Sequence, residues 1–494
     1  METISDIILR VALKAPHAIA VRHRETALTY QELAELVQRA AAWIAHETLP
    51  AEVVSLHAEN SPEWIAAYLG IIYAGRIANP IGLRVADGPF LSQLGFSRSR
   101  VLLYSAQLEG RVERLALPKE VQPMVLSKLF SEVKSKVAYP ACDYASLLYT
   151  SGTTGAPKAI RLTHQIVLCA TRNIIERLRL KSNEICYQIL PLSHSFGLGN
   201  MHATLMLGGT VVLASQTINY EEWLSEMKMA NSTFFAATPF TLSILVKHYA
   251  EIFFSAKKLR TLCTNTGPMT PAVTKRVLDE LPYVCFFTYY GLTEASRSTI
   301  IELSANPNKL TSVGTPVRDA SVIIMENPGK EAPANIKGEV WIRGPHAIRE
   351  YWNNPAENTQ RFVNGYLKTG DIGYKDTDGF LFITGRIDDI VNIAGEKVSL
   401  QEVDLTIAEL PFVADVMCVE RPDERQEFVI EAHVVFDAHA EISPEQARKA
   451  IIAYCRQRLD NYKIPRIIRF VDSLPRTDSG KAQRKTLRAQ LHDE

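Results

Sequence analysis

The stretch Tyr149–Lys158 (YTSGTTGAPK) gathers groups that suit a polyphosphate. Thr150, Ser151, Thr153 and Thr154 carry hydroxyls that rotate to donate, and Lys158 adds a mobile point charge. Gly152 and Gly155 let backbone N–H groups turn toward a ligand, as in anion-binding nests. The spacing is not G-x-x-x-x-G-K-[ST], so the run differs from a Walker A loop. Apolar runs at Ala145–Tyr149 and Ala159–Leu162 predict a strand on each side. Taken alone, a Ser/Thr/Gly stretch is equally compatible with an ordinary polar connection.

Four further stretches carry candidate chemistry. Pro191–Gly199 (PLSHSFGLG) sets His194 between apolar runs, where a lone histidine is more often structural than catalytic. In Tyr289–Ala295 (YYGLTEA), Tyr290 can stack on a base, Thr293 can donate to a phosphate and Glu294 can hold magnesium. Magnesium is commonly held by one or two carboxylates plus substrate phosphates. The competing reading is a strand-end turn with Glu294 opening a helix. Leu367–Asp371 (LKTGD) ends a short strand with an aspartate whose acceptor sites suit two ribose hydroxyls, and Arg386 follows after a hairpin. Leu474–Lys485 places Lys481 after Ser479-Gly480, just before a final helix; alone it reads as a solvated basic tail.

The elements that must position these residues follow from patterning. A chain of 494 residues exceeds one core and predicts several domains. Thr29 and Glu32 stand at capping-box spacing ahead of an apolar helical stripe through Ile44. Strand candidates at Val53–Leu56, Val101–Tyr104, Thr210–Ala214 and Ser232–Ala236 alternate with helices, which points to helix-covered parallel sheets. From about residue 312 the segments shorten, and Asp378-Gly379 between apolar runs signals a hairpin in a small antiparallel, barrel-like region. An α+β pattern then fills 388–494. The expected fold is α/β: a large N-terminal domain over 1–387, its barrel-like subregion at about 312–387, and a small mobile C-terminal domain over 388–494. Lys+Arg and Asp+Glu balance at 54 each, so no net charge argues for nucleic acid. Seven scattered cysteines without a C-x-x-C pair fit reduced thiols. No basic-then-apolar leader opens the chain and no run is long enough to span a membrane, so a cytoplasmic protein is expected.

These five stretches, in this order, resemble the superfamily of adenylate-forming enzymes: acyl- and aryl-CoA synthetases, adenylation domains of nonribosomal peptide synthetases, and beetle luciferase. The resemblance covers essentially the whole chain and implies ATP and Mg2+ as cofactors. It implies that Thr150, Ser151, Gly152, Thr153, Thr154, Gly155 and Lys158 cradle the β- and γ-phosphates, and that Tyr290, with Gly267 in the nucleotide set, lies against adenine. Thr293 then touches the α-phosphate, Glu294 binds the metal, and Asp371 with Arg386 holds the ribose. Asp388 matches the hinge, and Lys481 matches the lysine that bridges carboxylate and α-phosphate. Gly395 matches the glycine lining a pantetheine tunnel. His194 matches the histidine that gates the acyl pocket.

Members that activate amino acids usually carry an aspartate soon after this histidine; here Ser195–Asn200 hold none. An unpaired ammonium in an apolar pocket would be costly, so a fatty, cyclic or aromatic acid is expected. Phe234–Pro239 and Thr264–Met269 are the candidate pocket walls. Asn265 and Thr266 are bulkier than the family's usual Gly/Ala run, and Leu400 stands where proline is common. The expected acceptor is coenzyme A, then a carrier-protein phosphopantetheine, then an amine or amino acid. An inactive nucleotide-binding homologue is a distant alternative, because Lys158, Glu294, Asp371 and Lys481 are all present.

Overall fold

The computed structural model describes residues 2–131, 139–150, 158–215, 217–327, 329–393, 396–423, 427–437, 440–477 and 482–492. A six-stranded sheet is built mainly from short parallel strands, among them Val53–His57, Ile77–Pro80 and Val101–Tyr104. Its edge is the antiparallel pair Tyr144–Thr150 and Lys158–Thr163, with Thr150 opposite Lys158. A nine-stranded sheet lies beside it and carries the parallel strands Thr210–Leu213, Ile185–Gln188, Phe234–Ala237, Thr261–Thr264 and Cys285–Leu292. These strands are buried, as parallel strands covered by helices on both faces must be. Their sequences are therefore continuous apolar runs rather than alternating ones.

The helices bind the two sheets together. Thr29 caps the helix Tyr30–Glu47 with Glu32 closing a capping box, and Ser61 caps Pro62–Tyr73 with proline at the first helical position. These two helices share one core with residues of both sheets, from Val54 and Ile160 to Val211 and Leu213. The strands expected at Val53–Leu56, Val101–Tyr104, Thr210–Ala214 and Ser232–Ala236 form within two residues of those bounds.

A third, antiparallel sheet contains Ser321–Asn327, Gly338–Arg343, Tyr366–Lys375 and Leu381–Arg386. The Asp378-Gly379 turn joins its last two strands: Asp376 accepts from the Asp378 and Phe380 N–H groups, and Gly379 takes φ +82°. The last fifth or so of the chain is a C-terminal α+β domain with its own core, formed by residues such as Val398, Leu400, Val403, Val434 and Ile451. It contains the three-stranded sheet Val413–Asp423, Glu427–Phe436 and Ile467–Phe470 and the helix Pro444–Arg456. Leu400, which departs from the family's proline, opens the helix Leu400–Ala408 and is fully buried. All seven cysteines are free.

Candidate active site

In open α/β sheets ligands bind at the carboxyl ends of the strands. Four neighbouring parallel strands of the nine-stranded sheet end together, and four sequence-predicted residues lie at or just beyond those ends: His194, Gly267, Thr293 and Glu294. Tyr290 lies within the last turn of the fourth strand, Cys285–Leu292. His194 is the cap of the helix Ser195–Leu207: its Nδ1 accepts from the Phe196 N–H at 3.2 Å. Gly267 lies in a loop where an added Cβ would meet no atom within 4 Å. Next to it, Thr266 takes φ +92°, a region that β-branched residues rarely enter.

Glu294 does not open a helix. Thr293 and Glu294 form the two-residue turn of a hairpin, with Leu292 opposite Ala295 and the strand Ala295–Glu302 returning antiparallel. The carboxylate is buried and accepts from the Tyr351 hydroxyl at 2.9 Å. Burial, then the Glu294 charge, pushes the Tyr351 phenol far above its ordinary range, so it remains a donor.

Asp371 does not end a strand either; it lies inside Tyr366–Lys375, opposite Arg386 on the neighbouring strand. Its Oδ2 accepts from the Tyr290 hydroxyl at 2.6 Å, and its Oδ1 from the Arg386 guanidinium at 2.9 Å. The backbone is pinned as well, because the Asp371 N–H donates to Thr369 Oγ1 at 3.0 Å and that hydroxyl donates to the Val340 carbonyl. Burial and the aspartate raise the Tyr290 pKa well above its usual value. Burial opposes the Arg386 charge, but Asp371, Asp388 and nearby groups more than offset it and hold its pKa up.

Lys158 is buried, its ammonium bonded to Glu357 and standing 5.6 Å from the centre of the Tyr351 ring. Glu357 sits in the first turn of the helix Pro355–Arg361, and the guanidinium of Arg361 on the same helix donates to the Thr369 carbonyl at 3.2 Å. A chain of contacts therefore runs from Lys158 through Glu357, Arg361 and Thr369 to Asp371. Tyr351, Glu357, Arg361 and Thr369 were not anticipated from the sequence. Asn354-Pro355 with Glu357 three residues after the cap is a helix-start signal, but it predicts an element and not a role.

Thr150 is described by its backbone, which pairs with Lys158. Ser151, Gly152, Thr153, Thr154, Gly155, Gly395 and Lys481 lie outside the described residues. Asp388 lies in the short 3-10 turn Ile387–Asp389 between the two domains, half-exposed and 3.5 Å from the Lys485 ammonium.

Comparison with known proteins gives this geometry a family. A model described as AMP-binding enzyme matches residues 9–352, and one described as AMP-binding enzyme C-terminal domain matches 402–481. The chain belongs to the AMP-binding enzymes. Oxalate--CoA ligase of Arabidopsis thaliana is 31% identical, with 98% of each chain covered. Feruloyl-CoA synthase of an Amycolatopsis species is 29% identical, also over 98% of each. Among solved structures, o-succinylbenzoate CoA synthetase (MenE) of Bacillus subtilis, in complex with the acyl-adenylate OSB-AMP, superposes with a TM-score of 0.87 at 26% identity, covering 97% of each chain. The same enzyme has been solved with ATP and magnesium. The amide bond synthetase McbA of Marinactinospora thermotolerans superposes with a TM-score of 0.84 at 25% identity, covering 98% of this chain and 99% of that one. The chain is an adenylate-forming acid ligase of this family, and among its described residues no helix is long and apolar enough to cross a membrane.

Proposed function

We propose that this enzyme binds ATP at the carboxyl ends of the nine-stranded sheet, joins a small non-amino carboxylic acid to AMP, and passes the acyl group to coenzyme A. The supporting observation is the convergence of Tyr290 and Arg386 on the buried carboxylate of Asp371, with Glu294 and Lys158 both at Tyr351. On this reading Asp371 accepts the ribose hydroxyls, Arg386 fixes the carboxylate's plane, and the Tyr290 ring lies against the base. Thr293, in the hairpin turn, is placed to donate to the α-phosphate.

Magnesium fits the donor set. Tyr351 occupies one oxygen of the buried Glu294 carboxylate, and a hard cation needs only one or two such ligands when phosphates complete its shell. When bound, the ion neutralises charge on the phosphates. Lys158 supplies a second positive charge at the same place, and its bond to Glu357 holds it ready rather than consuming it: the cation is exchanged between two anions. Two anions must meet in the adenylation step, so neutralisation and positioning carry the catalysis.

We assign Lys481 to the bridge between carboxylate and α-phosphate, the 151–155 loop to the β- and γ-phosphates, and Gly395 to the pantetheine path. Domains 1–387 and 388–494 then turn about Asp388 between the half-reactions. His194, fixed as a helix cap, borders the reacting carboxylate. We place the protein in the cytoplasm, as its free cysteines suit. The relatives' acids leave the substrate open: oxalate and o-succinylbenzoate carry a second carboxylate, and ferulate does not. McbA, an amide bond synthetase, favours acyl transfer to an amine as the second reading.

The test is pyrophosphate release with ATP, magnesium and a panel of acids, followed by coenzyme A, a holo-carrier protein or amines. Acid-dependent pyrophosphate and a thioester are expected. An amide formed in preference to the thioester would select the second reading, and no pyrophosphate from any acid would sink both.

A further inference from the structure

Two arginines are buried without an ion pair among the described residues. Arg76, 3% exposed, donates to the carbonyls of Ala45, Thr48 and Ala74, at the C-terminal ends of two helices. There the aligned peptide dipoles leave negative charge, which compensates the cation. Arg297, 2% exposed, has no such compensation. Its guanidinium donates to the carbonyls of Ser195 at 3.1 Å and Phe196 at 3.0 Å, in the first turn of the helix Ser195–Leu207. That is the positive end of a helix. The remaining partners are neutral: Ser296 Oγ at 2.7 Å, Asn200 Oδ1 at 3.5 Å, and the Tyr289 ring with its centre at 4.9 Å.

Several features show that the molecule makes room for this charge. Arg297 itself takes φ +59°, a conformation that costs energy for a residue with a side chain. A Cβ on Gly199 would stand 2.7 Å from both terminal nitrogens of Arg297, and one on Gly291 would stand 2.6 Å from its backbone nitrogen. Around the guanidinium, Asn200 Nδ2 and His202 Nε2 are buried with no hydrogen-bond partner. The guanidinium, the first turn of the helix that His194 caps and the unused Asn200 amide N–H group thus lie together, three residues along the chain from Glu294. Each of the three is better satisfied by an anion than by the neutral wall of an apolar pocket.

We propose that Arg297 is the counter-ion for a second carboxylate on the acid substrate, so that this enzyme activates a dicarboxylic acid. One carboxylate is adenylated beside His194; the other lies against Arg297 and the Asn200 amide. The inference rests on the adenylation reading above and narrows its substrate class.

The test compares kcat/KM for pyrophosphate release with a series of short aliphatic and aryl dicarboxylic acids, each paired with its half-amide, which keeps the shape and removes the second charge. The wild-type enzyme should favour the diacid by about ten- to a hundredfold, the range of one charge-assisted hydrogen-bonded pair. Arg297→Gln should erase the preference through KM for the acid while leaving KM for ATP in place, and Arg297→Lys should restore part of it. Should the glutamine variant fail to fold, the wild-type pairs still decide. An Arg297 that merely braces the helix turn predicts no preference between diacid and half-amide. Equal use of the two, or a wild-type preference that survives in Arg297→Gln, would overturn the proposal while leaving adenylation intact. Pyrophosphate from no acid of either kind would overturn the adenylation reading and this one together.

Discussion

The two sides of the site are built on opposite principles. On the large domain the charged groups are buried and cross-linked: Asp371 is held by Tyr290 and Arg386, Glu294 by Tyr351, and Lys158 by Glu357. Around Asp388 and the C-terminal domain the charges form a ladder whose exposure rises along it, from Arg484 to Asp389 at 2.6 Å, largely buried, through Arg488 to Glu420 at 2.8 Å, to Lys485 and Asp388 at 3.5 Å, both exposed. Contacts between the two parts include Lys247 Nζ to the Val413 carbonyl at 2.9 Å and Arg476 stacked 4.7 Å over Phe240. Buried, over-determined carboxylates fix a geometry; solvated ion pairs are worth little individually and exchange readily. On the proposed function, the first side holds the nucleotide still and the second changes partners.

That contrast is broken or sharpened most strongly at Lys481. Lys481→Ala should slow acid-dependent pyrophosphate exchange by about a hundredfold or more, the scale of losing one preorganised donor at the reacting centre. Thioester formation from a preformed acyl-adenylate should fall far less, because the lysine's group has left the site by then. Equal losses in both half-reactions, measured by stopped assays, would remove the distinction between the two sides. On the fixed side, Asp371→Asn should raise KM for ATP by about tenfold to a hundredfold and slow the thioester step as well, because the AMP moiety is bound in both half-reactions. Glu294→Gln should raise the magnesium concentration needed for half-maximal rate, read by titrating the metal at saturating ATP.

Acid should separate the domains as well. His57 and His346 are held down to about 4 and His202 to about 3, in each case mainly by burial, with Arg111 near His57 and Arg297 near His202. The unfolded chain takes up a proton on each near 6.5, so it binds more protons than the folded one below that value. Stability should therefore be complete above pH 6.5 and fall toward pH 4, by roughly 1 kcal/mol per pH unit for each histidine at the steepest. All three histidines, and all five tryptophans (Trp43, Trp64, Trp223, Trp341 and Trp352), lie in the large domain. Tryptophan fluorescence should report the transition before hydrogen exchange rises in residues 400–470. Loss of the small domain first would contradict the assignment.

Much of this was legible in the sequence where one local signal dictates one outcome. Thr29 with Glu32 and Asp378-Gly379 each fix a cap or a turn through contacts a few residues apart. The positions of Tyr290, Asp371 and Arg386 were legible for a different reason, their resemblance to a family. What stayed hidden were the partners that arrive from far along the chain: Tyr351 at Glu294, Glu357 at Lys158, and Arg297 under the helix that follows His194. At Thr293-Glu294 the competing reading of a helix start falls, because a glutamate after a threonine also begins helices and only pairing with the strand Ala295–Glu302 decides between them. The expected strand end at Asp371 does not occur: Gly370 takes φ +76° beside Arg361 and Arg386, and the strand continues to Lys375.

The smallest effect tests the thin interface. Arg476 is bound to Asp415 of its own domain and lies over Phe240 of the other. Arg476→Ala should lower the stability of the small domain by at most about 1 kcal/mol, since the pair is partly solvated. Its informative consequence is kinetic: it removes a contact made in this arrangement of the domains and leaves the nucleotide-binding carboxylates untouched. The ratio of the two half-reaction rates should shift by less than about tenfold, with KM for ATP unchanged. A large rise in KM for ATP would mean that the C-terminal domain helps to hold the nucleotide directly, and the division between a fixed side and an exchanging side would fail there.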